Sequence, residues 1–126
     1  MKVYGSFPGV RMRRMRRAEF SRRLMRENAL TTDDFIYPVF VIDGKGRTEK
    51  VDSMPGVERL TLDGLLRVAE ECLRRRIPVI AVFPAIEAKL KTADGREAGN
   101  PDGLVPRVVS ALKRRFPELG VMTDVA

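Results

Sequence analysis

Three short, almost unbroken apolar runs constrain this chain more than any other feature. They are Phe35-Ile36-Tyr37-Pro38-Val39-Phe40-Val41-Ile42, Pro78-Val79-Ile80-Ala81-Val82-Phe83-Pro84 and Gly120-Val121-Met122-Thr123-Asp124-Val125-Ala126. Segments with apolar residues at helical spacing separate them. Apolar runs without polar alternation fit strands buried on both faces, which are joined in parallel through crossover helices. Strand, helix, strand, helix, strand can begin a doubly wound sheet or a (β/α)8 barrel. It finishes neither, because three parallel strands leave two open edges and the last one lacks a covering helix. The chain is therefore expected to be the N-terminal part of a larger α/β domain. In such folds active residues gather beyond the carboxyl ends of the strands, which is where Asp124 falls.

The first crossover helix is expected over residues 61–76, with Leu62, Leu65, Leu66, Ala69, Cys72 and Leu73 as its inward stripe. Thr61 is its N-cap, and Arg74, Arg75 and Arg76 sit where the helix dipole favours cations. The second helix is expected to open at Asn100-Pro101-Asp102 and to bury Leu104, Val105, Val108, Val109, Leu112 and Phe116. Pro106 falls inside it, which requires either a later start or a kink. Pro38 removes a ladder donor from the first strand and so marks an edge or a bulge there. A polar loop covers 43–52, and Ser53-Met54-Pro55-Gly56-Val57 has the Pro-Gly order of a type II turn. Residues 85–100 form a long loop with Asp94-Gly95 as its turn, at a strand's carboxyl end, where long loops tend to carry function.

The net charge of +7 is unevenly spread. Nine basic and two acidic residues lie in 1–27, whereas 28–126 holds fifteen of each. A basic arm, residues 1–30, thus precedes a neutral body, residues 31–126, and is read as a docking device. Within the arm, Phe20, Leu24 and Met25 mark a short amphipathic helix in 18–28 that needs a packing partner. Residues 1–17 show no apolar face. A nucleic-acid-binding or interaction module using the arm is the alternative reading, but the arm's basic run lacks interleaved aromatics for base stacking.

Histidine is absent, which removes Ser-His and Cys-His nucleophile pairs and histidine metal sites. The single Cys72 has no disulfide partner and sits on a helix's apolar face, as a core residue would. No apolar run is long enough for a membrane helix or a signal peptide, so no membrane partner is expected and the expected location is cytoplasmic.

Taken in order, several segments resemble one known family: Arg11-Met12-Arg13-Arg14-Met15-Arg16-Arg17, the first apolar run, Ser53-Met54-Pro55-Gly56-Val57 and Phe83-Pro84. Asn100-Pro101-Asp102-Gly103-Leu104, Phe116-Pro117-Glu118-Leu119 and Thr123-Asp124-Val125-Ala126 continue the likeness. The family is porphobilinogen synthase, also called 5-aminolevulinate dehydratase. The resemblance implies a TIM barrel, of which this chain is the arm, three strands and two helices. It implies condensation of two 5-aminolevulinate molecules to porphobilinogen, for haem and other tetrapyrroles, in a homo-octamer whose arm wraps a neighbour.

By the same resemblance, Arg11, Arg13, Arg14, Arg16 and Arg17 are interface residues. Asp124 is the catalytic carboxylate near the first-bound substrate's amine, and Phe83 lines the substrate pocket. Family chemistry uses two Schiff-base lysines on later strands. The lysines here (Lys2, Lys45, Lys50, Lys89, Lys91 and Lys113) are expected in the arm, in loops and on a helix surface, none at a strand end. A chain of these residues alone is therefore expected to be inactive. Ala126 stands where zinc-dependent members carry their first cysteine ligand. The resemblance thus implies no cofactor within this chain and magnesium rather than zinc in the whole protein.

Overall fold

The structure, a computed structural model, describes residues 5–124. The chain divides into two units, Met1–Leu30 and Thr31–Ala126. In the first, a 3-10 turn at Arg14–Arg16 precedes a helix α1, Glu19–Leu24. Six residues are too few for a stable isolated helix, and α1 is shorter than its sequence pattern. Its apolar residues do not form a buried face. Phe20 and Leu24 are each 77% exposed.

In the second unit, Thr31–Ala126, Thr31 and Asp34 form a capping box around the 3-10 turn Thr32–Asp34, which leads into β1, Ile36–Val41. Two further short strands follow, β2 at Thr48–Lys50 and β3 at Glu58–Leu60. Then come α2 (Leu62–Arg74), β4 (Val79–Pro84), α3 (Leu104–Arg115) and β5 (Gly120–Thr123). The sheet order is β2-β3-β1-β4-β5, with β2 antiparallel and the other neighbours parallel. The three expected strands are thus joined by a hairpin that corrects the three-strand reading. β2 and β3 have three residues each and are polar, so no apolar run announces them. The turn between them is as expected: Val57 N–H donates to the Met54 carbonyl at 3.0 Å, and Gly56 has φ +85°.

Pro38 lies in β1, which is central in the sheet order, yet its position is locally an edge. Ile42 N–H donates to Leu60 of β3, and the Val41 carbonyl accepts from Ala85 on the β4 side. Backbone groups alternate sides along a strand, so Pro38 turns its nitrogen toward β3's flank. β3 pairs only with Phe40 and Val41, and no ladder donor is missed at Pro38.

Both long helices pack on one face of the sheet. Val39, Val41, Ile80 and Val82 meet Leu65, Ala69 and Cys72 of α2 and Leu104, Val108 and Leu112 of α3 in one core. Burial pushes the Cys72 thiol pKa up, as expected of a core residue, and Glu71 adds to the shift. The helix ends differ from the sequence reading in informative ways. Thr61 precedes α2, but its buried hydroxyl donates to the Asp63 carboxylate at 2.7 Å and does not cap the helix. The chain leaves α2 with Arg76 at φ +60°, Arg76 N–H on the Leu73 carbonyl and Ile77 N–H on that of Cys72, a Schellman close. α3 begins at Leu104, later than Asn100, so Pro106 occupies the first turn, where its absent N–H has no helical partner to lose. Asn100 instead accepts from Asp102 N–H in a turn before the helix.

Candidate functional site

The parallel register places the expected site residues together. Phe40 pairs with Phe83 across β1 and β4, and Val82 with Thr123 across β4 and β5. One step further along each strand, Phe83 and Asp124 fall on the face that carries no helix, at the carboxyl ends. There a cleft of about 550 Å³ is lined by Phe40, Phe83, Thr123 and Asp124, with loop 85–103 and the start of α3 as its other wall. The rings of Phe40 and Phe83 stand 6.0 Å apart and tilted by 47°. The cleft therefore offers an aromatic floor with a carboxylate at its rim. Such a site can take an apolar group on its floor, and a carboxylate at the rim can orient a cationic group or accept a proton.

Loop 85–103 is held by its own turns. Gly95, at φ +62°, donates to the Thr92 carbonyl, and the Thr92 hydroxyl donates to Asp94 at 2.5 Å. Asp94 is thereby held below the usual carboxylate range, first by Thr92 and then by Arg96. A second, polar cleft of about 510 Å³ lies behind this loop, lined by Asp43, Arg47, Glu49, Arg59, Asn100 and Arg107 among others. Arg107 donates to Asp43 at 2.8 Å, and that hydrogen bond, followed by the Gly44 N–H, lowers the Asp43 pKa.

One lysine differs from expectation, and a second lies in its expected loop but beside the cleft. Lys50 ends β2, a strand end after all, but β2 runs antiparallel and its end lies away from the carboxyl ends of the parallel strands. Lys91 lines the cleft of Phe83 and Asp124 and is exposed. Sequence spacing placed it in a loop and gave no sign that the loop folds over the site. The arm residues Arg11, Arg13, Arg14, Arg16 and Arg17 are all exposed, and Arg11 lies 5.6 Å over the Phe7 ring. Ala126 lies outside the described residues. Among those described, no three His, Cys, Asp or Glu side chains group as a metal site, and no helix is long and apolar enough to cross a membrane.

The family model for delta-aminolevulinic acid dehydratase matches residues 9–126. The chain belongs to the delta-aminolevulinic acid dehydratase family. It is 51% identical over 117 residues to the delta-aminolevulinic acid dehydratase of Bradyrhizobium diazoefficiens, covering 93% of this chain and 33% of the relative. To that of Rhodobacter capsulatus it is 42% identical over 124 residues, covering 95% and 36%. The Toxoplasma gondii ME49 member, solved in complex with its reaction product porphobilinogen, superposes with a TM-score of 0.86 at 38% identity, covering 93% of this chain and 33% of that one. The chain thus spans about a third of the length of the relatives it matches. Its sheet and helices are the corresponding part of the family's TIM-barrel fold.

Proposed function

We propose that this chain serves a porphobilinogen synthase, a lyase that condenses two 5-aminolevulinate molecules to porphobilinogen in haem and tetrapyrrole synthesis. The observation that carries the reading is the shared cleft of Phe83 and Asp124 at the carboxyl ends of adjacent parallel strands. In it Asp124 receives or deprotonates the substrate amine, and the phenylalanine pair covers the carbon chain. The Schiff-base lysines of the family stand on later strands, so residues 1–126 alone are expected to be inactive. A lysine of that kind acts as an amine nucleophile when desolvation lowers its pKa. The exposed lysines of this chain lack that setting.

The exposed arginines at 11, 13, 14, 16 and 17 fit an arm that clamps a neighbouring subunit, since guanidinium groups pair carboxylates bidentately. A homo-octamer in the cytoplasm is the assembly and location this reading carries. Alanine at 126 offers no donor to a metal, which favours magnesium over zinc for the whole protein. The described residues supply no ligand set, and the chemistry assigned to this chain involves none.

The test replaces the matching third of the Bradyrhizobium diazoefficiens relative with this chain and assays porphobilinogen formation. The chimera is expected to make product, and the 126-residue chain alone none. A chimera that melts cooperatively like the parent yet makes no product would overturn the reading.

A further inference from the structure

The loop that walls the candidate cleft is tied to the sheet in an uneven way. Its start is fixed by Ala85 N–H on the Val41 carbonyl at 2.8 Å. Beyond that point its hydrogen bonds close on the loop itself. Ala98 donates to Gly95, Asn100 to Glu97 and Gly103 to Asn100, while the Asn100 side chain donates to the Glu97 carboxylate at 3.1 Å. Apart from the first turn of α3, the one hydrogen-bonded tie among the described residues between the loop's far end and the sheet side runs through Arg107. Its Nε donates to the Gly103 carbonyl at 3.3 Å, and its guanidinium reaches Asp43, just past β1, at 2.8 Å.

We propose that Arg107, paired with Asp43, is a positioning residue that fixes the wall loop 85–103 presents to the cleft of Phe83 and Asp124. The inference rests on the proposed function for its kinetic consequence, though not for its structural one. The loop's end is closely folded: a side chain at Gly103 would come within 2.9 Å of Glu97 Oε1 and 3.0 Å of the Asn100 carbonyl. Glu97, Gly103 and Leu104 line the polar cleft on one side and the site cleft on the other, so a shift at Arg107 is felt in both. The pair is half exposed, with side-chain exposures of 50% and 62%, and surface pairs contribute little to global stability. Its sequence separation of 64 residues makes it a tether between distant segments. A lysine at 107 can reach Asp43 as a point charge but cannot hold two acceptors with one planar fork.

Amide exchange on the full chain tests the tether without recourse to activity. Arg107→Gln and Asp43→Asn are each expected to speed exchange at Ala98, Asn100 and Gly103 roughly three- to ten-fold, leaving Leu65 and Val82 unchanged. Unchanged rates in the loop, or an equal rise at Leu65 and Val82, would overturn the proposal. In the chimera, Arg107→Gln is expected to raise KM severalfold with kcat within about two-fold, and Arg107→Lys to recover part of the loss. A loosened loop with unaltered KM would show that the tether does not position the site. An inactive chimera would count against the proposed function alone, since the exchange result stands by itself.

Discussion

The two faces of the central strands are built from similar residues and have opposite fates. On the helix side, Val41, Ile80 and Val82 are at most 1% exposed, locked between α2, α3 and the sheet. On the other side, Ile36 and Met122 are each 49% exposed and Phe83 is 37% exposed. Both sets are apolar and interleave along the same strands. Apolar character alone therefore does not say which face is core. The face without helices is the one that turns inward in the family's barrel, and it carries the aromatic pair and leads to Asp124.

Substitutions on the two faces should separate function from stability. The largest expected effect is on the open face: Asp124→Asn in the chimera should lower kcat by about 10²–10⁴-fold, read from product formation, with an unchanged melting profile. On the helix side, Leu112→Ala should cost about 2–5 kcal/mol by denaturant titration, because Leu112 is fully buried. Met122→Ala, measured the same way on the 126-residue chain, should cost less than about 1 kcal/mol, since Met122 is 49% exposed there. Equal costs at 112 and 122 would erase the distinction between the faces.

Smaller effects sharpen it at the helix ends and behind the loop. Arg76→Gly should stabilise by about 0.5–1 kcal/mol, because a left-handed residue strains any side chain and glycine removes that strain. Acid should loosen the loop before the core. The Asp43 pKa is lowered from 3.8 in the folded chain by Arg107, the Gly44 N–H and, more weakly, Arg47. Its contribution is therefore complete above about pH 4 and fades as pH falls through the folded value. Loop amide protection, corrected for the intrinsic pH dependence of exchange and followed from about pH 5 downward, should fall only in that acidic window.

Much of the fold was legible because the apolar runs are continuous and the helical stripes regular. Leu65, Ala69, Cys72, Val108 and Leu112 are buried where periodicity placed them. The hairpin strands were not legible, since Thr48-Glu49-Lys50 is stabilised by edge pairing and not by apolar burial. Pro106 and Asn100 show the limit at a helix start, where capping residues signalled an opening several residues before the backbone becomes helical. That Phe83 and Asp124 lie at strand ends was readable, because parallel register brings strand ends together, whereas the roles proposed for them rest on the resemblance. Lys91 and the Asp43–Arg107 pair were not readable, because loop folding and a contact across 64 residues leave no local pattern.

Pro38 has a consequence beyond its place in β1. Among the described residues, the flank it occupies is main chain that β3 does not cover, and an uncovered strand flank is a template for a further strand. Proline cannot donate there, so a foreign strand docking on this side loses a rung of its ladder. Any strand that pairs with this flank, as closing a barrel requires, must therefore do so without a donor at position 38.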